Sequence, residues 1–361
     1  MSQNSLDTQF LSKAIQLAKL GLYTTQPNPR VGCVIVLDEK IVGEGYHQQA
    51  GGPHAEIYAL KQAGKKAQDA TAYVSLEPCS HTGKTPPCAD ALINAGVSRV
   101  VCAMQDPNPL VAGEGLKKLQ LAGIETQAGL LQTEAEALNS GFIKRMKTGL
   151  PYVRVKLAMS VDGRTAMASG ESKWITGEQA RADVQKYRAR SSVVLTGSGT
   201  VLADNPSMNV RVSGEDLGVS VDVHQPIRAI IDSQLKVPCS SKIFEGIGQV
   251  LVFSTKKAEH IITVPEQSGK VDLTACLKIL AAEHQANEVH VEAGSELCGA
   301  LLAQQLVDEI IIYMAPHIMG DSAKGLFHLP DLNEMSARLD LEIKEIRPIG
   351  KDWRITVHPK Y

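Results

Sequence analysis

Aromatic side chains are scarce in this sequence: Phe, Tyr and Trp together make up 4% of 361 residues. A groove that stacks successive bases of a single strand relies on such rings, so their scarcity speaks against that role. Charge of one sign is missing too. The 37 Lys and Arg residues against 39 Asp and Glu leave a formal net charge of −2, without the positive field that captures nucleic acid nonspecifically. No apolar run approaches the ~20 residues needed to span a bilayer. The opening MSQNSLDTQ has neither the basic end nor the apolar core of a secretory signal. A cytoplasmic protein with neither a membrane nor a nucleic acid as partner is expected. The seven cysteines are odd in number and scattered through both halves, which does not suggest a disulfide framework. Metal binding or plain packing accounts for them better.

What is present is ordinary globular composition, 43% hydrophobic and 21% charged, on a chain longer than one core usually serves. Helical spacing over 7–20 leads into a hairpin of strands at 31–37 and 41–46, then a helix from 54 to 63. A strand at 71–76, a helix at 88–94, a strand at 99–103, a helix at 113–121, a strand at 124–128 and a single helix from 133 to 146 continue the alternation. That pattern predicts a mixed sheet between helices. The basic stretch 144–151 ends in Gly149-Leu150-Pro151, after which the pattern restarts, so the domains are placed at 1–148 and 149–361. The second half reads as strands at 152–159, 192–196, 227–232, 250–254, 288–292 and 309–314, with helices at 177–190, 273–283 and 295–304. Two antiparallel strands near 341–346 and 353–358 finish it, and 212–225 reads as a surface loop.

The chemistry concentrates between His54 and Cys88. His54-Ala55-Glu56 opens a helix, and Glu77-Pro78-Cys79-Ser80-His81 and Pro86-Pro87-Cys88 follow a strand. One imidazole and two thiols hold Zn²⁺ with a fourth position open for water, which bound zinc acidifies from a pKa of ~15.7 to about 7. Metal ligands are therefore expected at His54, Cys79 and Cys88. Glu56, on the same helical turn, is expected to carry the proton from that water to a leaving amine. Cys33 and Cys102 fall inside predicted strands and are expected in the core.

His-x-Glu followed by Pro-Cys and a second Cys resembles the cytidine-deaminase-like zinc hydrolases. The usual form has two residues between the thiols, whereas eight, Ser80 to Pro87, separate them here. That interval resembles the riboflavin-biosynthesis branch, as do Asn28-Pro29, Val31-Gly32, Gly43-Glu44-Gly45, His47 and Asp106-Pro107-Asn108-Pro109. The resemblance implies deamination of a diaminopyrimidinone carrying ribose 5-phosphate, with substrate contacts at Asn28, His47, His81 and Lys84.

The second half carries Lys156 to Arg164, Ser172 to Thr176, Thr196 to Val201, Ala203-Asp204-Asn205-Pro206, Arg211 and Val291-Glu292-Ala293-Gly294-Ser295. The last joins a strand through Gly to a helix N-terminus, where free N–H groups can bind a pyrophosphate. A tight strand-to-helix connection accounts for such a Gly equally well, and it is not a G-x-G-x-x-G fingerprint. Together these segments resemble the reductase domain of the same bifunctional family, implying a dihydrofolate-reductase-like fold and NADPH as cofactor. The resemblance implies cofactor contacts at Ala158, Trp174, Thr200, Asp204 and Ser233, and at Gly294, Ser295, Glu296, Leu297, Cys298, Gly299 and Ala300. Substrate contacts are implied at Lys156, Ser172, Arg188, Met208, Arg211 and Glu292. Arg188 and Arg211 suit a phosphate, although each could equally be a plain surface arginine. Lys156 and Asp204 are the candidates for moving protons at the sugar.

The reading is a two-step enzyme, a zinc hydrolytic deaminase followed by a reductase that turns the ribosyl group into ribityl, expected to be a homo-oligomer. Two alternatives stay open at this stage. One is a nucleoside or nucleic-acid deaminase with an unrelated appended domain, and the other is a module with structural zinc that senses a nucleotide.

Overall fold

The computed structural model describes residues 2–81, 86–108, 112–219 and 223–361. Two compact units divide the chain, one built on Met1–Gly149, the other on Leu150–Leu217 and Val223–Tyr361.

The first unit opens with α1 (Gln3–Ala18), the hairpin of β1 (Gly32–Leu37) and β2 (Lys40–Tyr46), and α2 (Ala55–Ala63). Next come β3 (Thr71–Val74), α3 (Cys88–Asn94), β4 (Arg99–Cys102), α4 (Glu114–Leu121) and β5 (Glu125–Ala128), closed by α5 (Gln132–Leu138) and α6 (Ser140–Thr148). The sheet order is β2-β1-β3-β4-β5. Strand β1 runs antiparallel to β2 and β3, and the rest is parallel. Along β1, Cys33 and Ile35 join a cluster with Ala55, Ala59 and Leu92, whereas Val34 and Val36 join Phe10, Leu11 and Tyr73. A strand apolar on both faces is one covered on both sides. Cys33 and Cys102 are fully buried, as their strand positions predict.

Two glycines of β2 decide how α2 sits. A Cβ at Gly43 would lie 2.2 Å from the Ala59 carbonyl oxygen, and one at Gly45 would lie 2.4 Å from that of Ala55. The helix therefore lies directly on the strand, and its first turn is fixed against the sheet.

The single helix predicted over 133–146 is in fact two. Between them Asn139 leaves helical geometry (φ −116°, ψ 21°). Its buried side chain accepts from the Arg30 amide at 2.8 Å and donates to the Arg30 carbonyl at 2.9 Å. The backbone of a chain segment more than a hundred residues away thus takes both hydrogen bonds of this amide and breaks the helix.

The second unit contains β6 (Tyr152–Ser160), β7 (Arg164–Ala166), α7 (Glu178–Arg190), β8 (Val193–Gly197), α8 (Ser198–Asp204), β9 (Ile227–Ile231), β10 (Val250–Ser254) and β11 (Ile262–Thr263). The short β12 (Glu266–Gln267) and β13 (Lys270–Val271) precede α9 (Leu273–Ala282), β14 (Glu288–Glu292), α10 (Ser295–Ala303), β15 (Glu309–Ala315) and β16 (Lys324–Gly325). Strands β17 (Asp340–Ile349) and β18 (Asp352–Lys360) end the chain. Nine strands form one sheet in the order β11-β10-β9-β8-β14-β6-β15-β18-β17. It is parallel from β11 to β15, and β18 and β17 add antiparallel. Helix α8 escapes the sequence reading because Gly197-Ser198-Gly199 looks like a turn. No helix among the described residues is long and apolar enough to cross a membrane.

Candidate active sites

Helix α2 arranges the first site. Pro53 and an extended backbone at His54 (φ −76°, ψ 165°) make His54 the N-cap residue, and Glu56 falls in the first turn. Cys79 follows the end of β3, and Cys88 is the first residue of α3. His54 Nδ1 lies 3.6 Å from Cys79 Sγ and 3.3 Å from Cys88 Sγ, and the three donor atoms lie within 4.8 Å of one another. Tetrahedral zinc, with ~2.3 Å to sulfur and ~2.0 Å to nitrogen, separates such donors by about 3.5 Å. The side chains therefore fit the ion, and three donors leave the fourth position that a catalytic zinc keeps open.

The two thiols share a hydrogen bond. The hydrogen bond from the Cys88 thiol, with help from His54, brings the Cys79 thiol down to about 4. The same bond, together with burial, pushes Cys88 up. Glu56 is buried, and its Oε2 has no hydrogen-bond partner among the described residues. Burial raises its pKa. A shielded carboxylate oxygen left open beside three metal donors is placed to exchange a proton with a water there.

The expected substrate contacts divide. Nδ1 of buried His47 lies 3.0 Å from the Pro53 carbonyl, which only accepts, so Nδ1 carries the hydrogen. Nε2 then accepts from Asn28 Nδ2 at 3.1 Å. Burial lowers the His47 pKa and keeps the ring neutral, and the ring stands edge-on to His54 with centroids 5.5 Å apart. Asn28 and His47 thus flank the metal donors as one hydrogen-bonded pair. His81 is exposed, and Lys84 lies outside the described residues. Sequence reasoning gave Glu77 no role. Its buried carboxylate accepts from the amides of Asp106, Gly113, Gly115 and Leu116, binding the start of α4 to the Pro78-Cys79 corner.

In the second unit two cavities meet over the ends of β6, β8 and β14. One, of about 640 Å³, is lined by Lys156, Ala158, Ser172, Trp174, Arg188, Thr200, Asp204, Met208, Arg211, Glu292, Gly294 and Ser295. The other, of about 970 Å³, is lined by Ser233, Gly299 and Ala300 among others. Gly197, Gly199, Glu296 and Leu297 line both, so the two make one trough. It passes the N-terminus of α10, where Gly294 is the N-cap and no side chain caps the helix. The first N–H groups there are unclaimed by a cap, which fits a dinucleotide's pyrophosphate. Cys298 lines neither cavity. It is fully buried and its thiol donates to the Ala293 carbonyl at 3.4 Å. At 100° per residue, a run of seven helical positions cannot all face one cleft.

Lys156 Nζ sits 5.9 Å from the Tyr313 ring centre. Burial lowers its pKa, and Glu292 works against that. Arg188 bonds Glu292 through Nε and Nη2, the Asn209 carbonyl through Nη1, and the Met208 sulfur. Its fork is therefore occupied within the protein, which counts against the expectation that it holds a phosphate. Arg211 is exposed on the same cleft, with Nη1 3.4 Å from Ser207 Oγ. Three contacts were invisible in the sequence. Lys173 Nζ reaches the Asp204 carboxylate at 3.4 Å, the Arg181 guanidinium lies 4.5 Å from the Trp174 ring centre, and buried His290 has Nε2 3.5 Å from Glu292 Oε1.

Residues 151–355 match the family model of the RibD C-terminal domain, and 4–104 match that of the cytidine and deoxycytidylate deaminase zinc-binding region. The chain is 52% identical over 358 residues to the riboflavin biosynthesis protein RibD of Escherichia coli strain K12, spanning 96% of this chain and 97% of that one. The chain belongs to the RibD family of riboflavin biosynthesis proteins. RibD of Haemophilus influenzae is 49% identical over 370 residues, with 99% and 98% of the two chains covered. A solved structure of Acinetobacter baumannii RibD superposes with a TM-score of 0.93 at 46% identity, covering 99% of this chain and all of the other. As a RibD protein the chain is an enzyme of riboflavin biosynthesis with a zinc-binding deaminase domain and a reductase domain that uses NADPH. The alternative of an unrelated appended domain falls with the match over 151–355.

Proposed function

We propose that residues 1–148 remove the ring 2-amino group of 2,5-diamino-6-(5-phosphoribosylamino)pyrimidin-4-one by hydrolysis, and that 149–361 then reduce the ribosyl group to ribityl. A Thermotoga maritima relative, 32% identical over 99% of this chain with a TM-score of 0.87, is described as a diaminohydroxyphosphoribosylaminopyrimidine deaminase and 5-amino-6-(5-phosphoribosylamino)uracil reductase. The observation that carries the reading is the open Oε2 of buried Glu56 beside the His54, Cys79 and Cys88 donors.

Zinc, held by those three side chains, supplies the Lewis acid that acidifies a water. Glu56 takes a proton from the attacking water and passes it to the leaving amine, and its raised pKa suits both halves of that transfer. Neutral His47, oriented by Pro53 and Asn28, addresses the ring edge. His81 and Lys84 take the phosphate side. In the second unit NADPH supplies the hydride. Lys156, whose pKa burial lowers, and Asp204 handle protons at the opened sugar. Arg188 orients Glu292 toward the sugar hydroxyls, and exposed Arg211 meets the phosphate.

The protein acts in the cytoplasm as a homo-oligomer in this reading. Ile343 lies opposite Val357 and Ile346 opposite Ile355, so both isoleucines share the face that Val357 carries into the core. There they remain 60% and 51% exposed. A second copy would cover that stripe.

The decisive experiment supplies the diaminopyrimidinone ribosyl phosphate and follows ammonia release and NADPH oxidation separately. Both are expected, in that order. Ammonia without NADPH oxidation overturns the second half of the reading, and NADPH oxidation without ammonia overturns the first.

A further inference from the structure

We propose that His290 is a positioning residue of the reductase site, donating from beneath the cleft to Glu292 Oε1 and so fixing the carboxylate with its other oxygen turned to a hydroxyl of the substrate. The inference rests on the reading that Glu292 meets the opened sugar, and it says what aims that carboxylate.

Side chains alternate along β14. Val289 and Val291 enter the apolar core, so Glu288, His290 and Glu292 share the opposite face. There α7 covers them, with Arg190 on Glu288, Tyr187 on His290 and Arg188 on Glu292. His290 is fully buried, and neither ring nitrogen has a hydrogen-bond partner among the described residues. Burial lowers its pKa against the pull of Glu292, so the ring is neutral at pH 7 and one nitrogen carries a hydrogen.

The surroundings decide which nitrogen that is. Across the sheet His290 has Arg154 of β6 on one side and Val194 of β8 on the other. Valine offers no acceptor, and the Arg154 guanidinium is itself a donor, bound to Glu288 and Glu309. The Tyr187 ring covers a face of the imidazole, with centres 6.0 Å apart and planes 13° from parallel. Glu292 Oε1, 3.5 Å from Nε2, is the acceptor in reach, which places the hydrogen on Nε2. That separation is longer than a formed bond, and hydrogen bonds of reactive clefts commonly tighten when substrate engages the same group.

The donors on Glu292 then set its direction. Each carboxylate oxygen has room for two. Oε1 takes Arg188 Nε and faces His290 Nε2, whereas Oε2 takes Arg188 Nη2 at 2.9 Å and no second donor among the described residues. The Thr196 hydroxyl donates to the Glu292 carbonyl at 2.7 Å, so the backbone beneath is fixed as well. Glu292 lines the 640 Å³ cavity, and the open position on Oε2 is the one left for a substrate hydroxyl. A single arginine fork lets carboxylate and guanidinium shift together. A further donor rooted in the sheet removes that freedom.

The test follows NADPH oxidation by the full-length protein with 5-amino-6-(5-phosphoribosylamino)uracil supplied directly. His290→Phe keeps a flat ring against Tyr187 and removes the donor, while His290→Gln returns an N–H at the reach of Nε2. The Phe variant should lose ~10-fold or more in kcat/KM for the sugar phosphate, the worth of one hydrogen bond to a charged group. Its KM for NADPH should stay within ~2-fold, with ammonia release from the diaminopyrimidinone unchanged. The Gln variant should recover to within ~3-fold of the unmodified protein. Added to Glu292→Gln, His290→Phe should cost less than ~2-fold more, because the two act as one unit. Full activity in the Phe variant, a matching rise in its KM for NADPH, no recovery with Gln, or an undiminished loss in the Glu292→Gln background each overturns the positioning role. If Glu292→Gln alone reduces the substrate at the unmodified rate, the reading of Glu292 is wrong and the role of His290 goes with it.

Discussion

Arg188 places two guanidinium N–H groups on the single carboxylate of Glu292, with Nη2 2.9 Å from Oε2, and so ties α7 to the end of β14 inside the reductase cleft. Burial would raise the Glu292 pKa, but the adjacent Arg188 charge holds it well below the usual carboxylate range. A carboxyl depressed in the folded state stabilises that state fully above its unfolded pKa of about 4.3. The contribution fades as pH falls from there toward the folded value. Urea unfolding of the reductase transition should show a loss between pH 5 and pH 3 that is smaller in Glu292→Gln. Identical acid slopes would show that the pair does not set this sensitivity. Arg188→Met, which leaves the carboxylate buried and unpaired, should cost ~3–5 kcal/mol at pH 7.

Glu56→Gln keeps the shape of the deaminase site and removes its proton carrier. Zinc content should be unchanged, while the rate of ammonia release should fall by ~10²–10⁴. Retained deamination would take Glu56 out of proton transfer.

Cys88→Ser exchanges a soft thiolate donor for a hydroxyl. Metal analysis of the purified variant should find zinc occupancy reduced at least tenfold at limiting metal, an estimate of ~10-fold from the preference of zinc for thiolate. Full occupancy would exclude Cys88 as a ligand.

Arg211→Ala acts on a side chain exposed to the cleft, whose guanidinium hydrogen-bonds Ser207 among the described residues. The KM for the phosphorylated substrate should rise ~10-fold or more, consistent with one lost charge-assisted contact, while the KM for NADPH changes little. Equal increases in both would indicate that the cleft as a whole has been disturbed.

Replacing Ile343 and Ile346 together by Lys puts charge on the exposed apolar stripe of β17. Light scattering should then give the mass of one chain where the unmodified protein gives a multiple. An unchanged mass would place the contact elsewhere.

Much of this architecture is legible in the residues alone. The alternating helices and strands, the hairpin before α2 and the antiparallel pair at the end follow from local periodicity and turn residues, and the structure repeats them to within a few residues. What was missed depends on distant partners. The break at Asn139 exists because Arg30 offers it a donor and an acceptor, and neither residue's neighbours say so. The metal donors were readable because zinc chemistry restricts residue type and spacing together. The mixed sheet and the deaminase and reductase family assignments were readable for the same reason, since long motifs leave few alternatives. Arg188 was harder. Its residue type suited a phosphate, but tertiary packing gave it Glu292 instead. Cys298 shows a related limit, because a contact run carried along a helix ignores which residues point inward.

Glu77 couples two things that a sequence motif keeps apart. Its carboxylate fastens the amides of Asp106, Gly113, Gly115 and Leu116 two residues before a metal donor. Any opening of the α4 corner must therefore pull on the Cys79 thiol, and any ion held by that thiol must resist the opening. Metal occupancy and local opening of this corner are then thermodynamically linked. Amide exchange at Gly113, Gly115 and Leu116 becomes a gauge of zinc binding, although none of these residues touches the metal.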